Sequence, residues 1–298
     1  MESDIGLIHV TNNHGARTEG YGGNPEAVGD SAYPADHPLS EEVADIRLLT
    51  KGFIAEFRIK NSFLYMDMLR GNLAAGLFFL ELQMAHLQQY SGALFNTLQH
   101  HPTRVLPAME HAIWEVAREH RLFPRLARPT SIQVQLFWGV PPTLLRQLAH
   151  APVAQLLCVS GIVIKSSAAH PRCVRAAIQC TSCRSKTYIN GGGRAVELPP
   201  QCLENQGGHA AGGGRPGGKC RPNPYVLLPT ASEYEDQQVV KLQELPEDVP
   251  TGELPRHLTV VVDRYLVDRV TPGARVQIAG IVAVQEKRGG GWGGGREG

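Results

Sequence analysis

The sequence has 298 residues, 42% of them hydrophobic, and sets 29 Lys and Arg against 28 Asp and Glu for a net charge of +1. That balance excludes a whole-molecule field able to drive the chain onto nucleic acid or an anionic membrane, so any such contact must come from a local patch. With no apolar leader-like segment at the start and no run of about 18 apolar residues, the expectation is a soluble intracellular chain with one large core or two medium ones.

Residues 1–38 are rich in Gly, Asn, His, Ser and Pro without periodicity and read as a disordered tail. Ser40 is a helix N-cap candidate followed by Glu41 and Glu42. Val43, Ile46, Leu49, Phe53 and Phe57 then recur on one helical face. Leu87, Leu94 and Leu98 suggest a further helix. Arg104 to Arg121 is another, with a stripe of Leu106, Met109, Ile113, Val116 and Ala117. Residues 39–128 therefore form a helical subdomain.

After Pro124 and Pro129 the period changes to two. Ile132, Val134, Leu136 and Trp138 alternate with their neighbours as in a half-buried strand, and Leu156–Lys165 and Val174–Gln179 follow as strands. These give the first half of a barrel, residues 129–179. Pro250, Gly252 and Pro255 forbid helix in the next connection, 258–263 starts a strand, and Pro272-Gly273 turns it back into 275–284. Residues 225–288 supply the second half. Five short antiparallel strands suffice for a small OB-type barrel, which tolerates long loop insertions. The fold class expected is α+β: a helical subdomain followed by an OB-fold β-barrel with an inserted zinc-binding module at 180–224, ending in a Gly-rich tail at 289–298.

Of six cysteines, Cys158 and Cys173 stand singly, while Cys180, Cys183, Cys202 and Cys220 cluster. Cys180-Thr181-Ser182-Cys183 has the spacing of a tight knuckle that points two thiolates at one tetrahedral metal, and Cys202 and Cys220 can complete the set. His209 could replace one distal cysteine. The alternative is four reduced thiols without metal. A redox pair is disfavoured because no βαβ pattern surrounds it. A closed four-ligand zinc site supports folding and contacts, leaving no open position for chemistry.

Gly213 to Cys220 nearly spells a phosphate-binding loop. The match fails because a Cys replaces the Mg²⁺-binding hydroxyl, no buried strand feeds it, and Arg221-Pro222-Asn223-Pro224 prevents a helix after it. Basic residues on or between the expected barrel strands are the candidates for holding a nucleic-acid strand: Lys165, His170, Arg172, Arg175, Arg256, His257, Arg264, Arg269 and Arg275.

Several phrases together resemble one family. They are Leu242 to Ile281; Phe63 to Leu69; Pro142 to Val163; and the cysteine phrases Gln179 to Cys183, Pro199 to Cys202 and Lys219 to Tyr225. Across about residues 45–288 the chain resembles the amino-terminal region of the minichromosome maintenance (MCM) replicative helicase family, and Asp263-Arg264-Tyr265-Leu266 most resembles its fifth subunit. The resemblance implies structural Zn²⁺ on Cys180, Cys183, Cys202 and Cys220, and a heterohexamer acting in replication origin licensing, initiation and fork unwinding. Implied partners are other MCM subunits, with the second and third as neighbours, single- and double-stranded DNA, and replication initiation factors. It implies a nuclear location and no membrane. In the family a turn matching 166–172 carries a DNA-gripping arginine, where this chain has His170. Lys287 and Arg288 fall where the family starts a channel hairpin. ATP and Mg²⁺ belong to the family's AAA+ domain, which these 298 residues do not reach, so no hydrolysis is expected of them alone. A rival reading is a zinc-stabilised protein-interaction module that never touches DNA.

Overall fold

The structure is a computed structural model and describes residues 38–60, 62–123, 131–139, 141–191, 196, 198–203 and 220–283. The expected terminal tails, His209, the Gly213–Lys219 loop, Lys287 and Arg288 lie outside the described residues.

Helix α1 (Pro38–Glu56) leads through a two-residue hairpin, β1 (Arg58–Ile59) and β2 (Ser62–Phe63), into α2 (Leu64–Ala74). Strand β3 (Phe79–Gln83), α3 (Met84–Tyr90), α4 (Gly92–His100) and α5 (Pro102–Glu119) follow. Ser91 caps α4, its hydroxyl accepting from the Leu94 N–H at 3.2 Å. Pro102 opens α5, where a missing N–H costs nothing. On α5 the residues Val105, Leu106, Met109, Ile113, Val116 and Ala117 are all buried, which is the apolar stripe its 3.6-residue period requires. Its other flank is ionic: Glu115 holds Arg47 at 2.6 Å and Lys51 at 3.0 Å, clamping α1 alongside.

Strand β4 (Gln133–Phe137) corrects one expectation. It is not the first barrel strand but pairs in parallel with β3, Phe79 opposite Gln133 and Gln83 opposite Phe137. The period-two pattern misled because both faces are covered: Gln133 and Gln135 are as buried as Val134 and Leu136.

The barrel sheet is made by β5 (Leu156–Ser166), β9 (Glu233–Gln243), β10 (His257–Asp263) and β11 (Arg275–Ile281), all antiparallel, with β11 on β5, β5 on β9 and β10 on the other edge of β9. Val240, Leu242, Val260, Val262, Val276 and Ile278 point into a core continuous with that of the helices. The Pro272-Gly273 turn forms as expected, with Gly273 at φ +91°, and its N–H reaches the Val163 carbonyl at 2.7 Å.

Strand β6 (His170–Cys180) corrects the expectation of a turn at 166–172. Ser166 pairs with Val240 and His170 with Gln237, so β6 continues in the direction of β5 along the same edge of β9. Ser167 stitches the junction: its N–H donates to the Val239 carbonyl at 2.8 Å and its hydroxyl accepts from the Val239 N–H at 3.0 Å. The far end of β6 leaves the barrel and pairs with β7 (Lys186–Asn190) and β8 (Tyr225–Leu227). These two short ladders frame the cysteines.

Candidate metal centre and nucleic-acid interface

Cys180 ends β6 and Cys183 follows it after a tight turn, in which the Arg184 N–H donates to the Cys180 carbonyl at 2.9 Å and Arg184 adopts φ +62°. The other limb is tied down by backbone bonds, Asn223 N–H to the Pro200 carbonyl and Thr181 N–H to the Pro224 carbonyl, each at 2.8 Å. Together they bring all four Sγ atoms of Cys180, Cys183, Cys202 and Cys220 within 4.8 Å of one another, with Cys183 and Cys202 at 3.7 Å. A tetrahedral ion with metal–sulfur bonds of about 2.3 Å needs sulfurs about 3.8 Å apart, so the set fits such an ion.

The surroundings treat the thiols unequally. Burial opposes ionisation of Cys183, but hydrogen bonds from Ser185, Cys180 and Cys202 outweigh it and bring the thiol down to about 7. Burial, with the same sulfur neighbours, pushes Cys220 up to about 12. Tyr225 closes the inner side. Its hydroxyl donates to the Cys202 sulfur at 3.8 Å and accepts from the Leu203 N–H at 2.8 Å, fixing a cysteine ligand from behind. Ile178, Cys180, Cys202 and Tyr225 form a small core of their own.

The basic candidates divide sharply. Lys165 on β5 stands directly opposite Lys241 on β9, and Lys241 opposite Thr259 on β10; all three are exposed, on one face. A register shift at Ile164 brings Lys165 onto that face. Like charges directly opposite disfavour a sheet, yet neither lysine has an acidic partner among the described residues. Arg256 and His257 are exposed at the start of β10, where Arg256 Nη1 donates to the Arg146 carbonyl at 3.3 Å. His170 is exposed at the β5–β6 junction.

A sequence model of the MCM N-terminal domain matches residues 49–150, and one of the MCM OB domain matches residues 143–286. The chain belongs to the MCM family. It is 34% identical over 263 residues to the DNA replication licensing factor mcm-5 of Caenorhabditis elegans, covering 84% of this chain and 34% of that protein. It is 37% identical over 243 residues to the DNA replication licensing factor Mcm5 of Drosophila melanogaster, covering 79% and 32%. Against the DNA replication licensing factor mcm5-B of Xenopus laevis it is 32% identical over 275 residues, covering 89% and 35%. The MCM chain thus spans about a third of the length of these relatives.

Several basic residues that sequence reasoning placed on the nucleic-acid face are used otherwise in this MCM chain. Arg264 turns inward, 14% exposed, and binds Glu110. Arg175 lies over the Tyr188 ring at 4.3 Å and against Glu233 at 3.6 Å, while Arg172 faces Glu235 across the ladder. Arg275 is paired with Glu247, and Arg269 Nε donates to the Tyr265 carbonyl at 3.1 Å. Lys241 is the residue missed; the polar run Glu233 to Gln238 hid the strand that carries it. Among the described residues no helix is long and apolar enough to cross a membrane.

Proposed function

We propose that these residues form the amino-terminal DNA-binding and ring-assembly region of a fifth-subunit-type MCM protein, acting in replication licensing, initiation and fork unwinding within a heterohexamer. The names of the relatives support the licensing role. The observation that carries DNA contact is the Lys165–Lys241 pair on the exposed barrel face, without an acidic partner among the described residues, with His257 opposite Gln243 and His170 opposite Gln237 on the flanking strands. A strand of phosphates supplies the counter-charge that this face lacks. In this reading Zn²⁺ binds Cys180, Cys183, Cys202 and Cys220 and fixes the β6–β7–β8 module, which contributes to packing against other subunits, the second and third being the neighbours, and to contacts with initiation factors. Nuclear localisation follows from the same role. Lys287 and Arg288, outside the described residues, would extend the basic face.

The test is binding of single-stranded DNA over a salt series. The expected result is a log–log slope of about −0.7 for each phosphate contacted; a slope near zero overturns DNA contact. The second reading, a zinc-stabilised protein-interaction module, is favoured by the near-neutral charge and by the acidic partners of Arg175, Arg264 and Arg275. It predicts that zero slope.

A further inference from the structure

Between the helical subdomain and the barrel lies a group of charges that neither the cysteine cluster nor the lysine face uses. Asp263, the last residue of β10, is 3% exposed. Gln133 of β4 donates from Nε2 to its Oδ1 at 3.3 Å and to its carbonyl at 3.4 Å. Arg264, next in the chain, has its Nε 3.8 Å from the same Oδ1, but its two amino groups are spent on Glu110 of α5. Glu235 of β9 and Arg172 of β6 face the group from the remaining strands.

Three carboxyls (Glu110, Glu235, Asp263) thus meet two guanidiniums (Arg172, Arg264) in a poorly hydrated seam, and full ionisation leaves one negative charge uncompensated. Asp263 is the least compensated, with one neutral amide and a distant Nε. Arg264 holds its place at φ +50°, a left-handed conformation costly for a side chain of its size, so the local backbone is already strained.

We propose that Asp263 is a proton-controlled clasp between the helical subdomain and the barrel, firmest when its carboxyl is neutral and loosened when it ionises. Burial pushes Asp263 up to about 6 against the attraction of Arg264, and burial also raises Glu235. A carboxyl raised on folding contributes stability that is complete below its ordinary value and is lost as pH rises through about 6.

The amides that cross the seam read the clasp directly: Phe78 N–H donates to the Tyr265 hydroxyl, Val134 N–H to Glu110, and Tyr265 N–H to Gln133. Their hydrogen exchange, corrected for intrinsic rates, is followed on the whole chain from about pH 5 to about pH 7.5. In the wild type the opening equilibrium is expected to rise about tenfold over that range. In Asp263→Asn, which keeps the oxygen that accepts from Gln133, it is expected to stay flat. Should Asp263→Asn fail to fold, Glu235→Gln removes a neighbouring negative charge and is expected to move the wild-type transition to lower pH. A wild type without pH dependence, an Asp263→Asn chain with the wild-type profile, or an unmoved transition in Glu235→Gln overturns the proposal.

Discussion

Arg264 of the barrel closes on Glu110 of α5 with hydrogen bonds of 2.7 and 3.1 Å, across 154 residues of sequence. Both side chains are largely buried, so removing either leaves its partner without its bidentate counter-charge. Glu110→Ala and Arg264→Ala should each cost about 3 kcal/mol in denaturant unfolding, and the double variant clearly less than their sum. Arg264→Lys should lose most of the same stability because a lysine cannot span both carboxylate oxygens.

The metal reading predicts about one equivalent of zinc per chain by elemental analysis of reduced protein. Cys180→Ser and Cys220→Ser should release it, and chelation should lower the melting temperature of wild type but not of those variants. Freshly reduced protein without metal would sink this reading.

On the lysine face, Lys165→Ala and Lys241→Ala should each weaken single-stranded DNA binding across all sequences and reduce the salt slope by about 0.7. Arg175→Ala, whose guanidinium already faces Glu233 and Tyr188, should leave the slope unchanged. Equal slopes for wild type and Lys241→Ala would remove Lys241 from the interface.

Gly191 follows β7 and lies against the β6 backbone, where an added Cβ would collide with the Cys173 carbonyl oxygen. Gly191→Ala must therefore push β7 off β6, and zinc affinity should fall although no ligand changes. A competition titration with a coloured chelator measures it.

Acid should act oppositely on another contact. Arg146 grips Glu244 at 2.6 and 2.9 Å, and this holds the Glu244 carboxyl below its ordinary value. The stability it contributes is present above that ordinary value and is lost as pH falls through the lowered one. Arg146→Gln should lower neutral-pH stability and flatten the acid limb of the stability profile, leaving in place the loss of stability through about pH 6 assigned to Asp263.

What could be read in the sequence depended on how each residue's surroundings are encoded. Cys180 and Cys183 declare their geometry by spacing, and the stripe of α5 declares its buried face by period. Strand β9 does neither: from Glu233 to Gln238 both of its faces carry polar side chains, because one meets the charged seam and the other solvent. The central strand was therefore invisible, and Lys241 with it. Arg264 read as a surface cation because nothing in Asp263-Arg264-Tyr265-Leu266 reveals a carboxylate 154 residues away.

Strands β5 and β6 follow one another in the same direction, and the stretch from Ile162 to Arg175 lies along one edge of β9. Lys165 sits near the end of β5, and Cys180 of the cysteine knuckle closes β6. A tilt of the knuckle imposed by a neighbouring molecule would reach the lysine face through β6 and the short Ser167–Ala169 link, which the two Ser167–Val239 hydrogen bonds tie to β9.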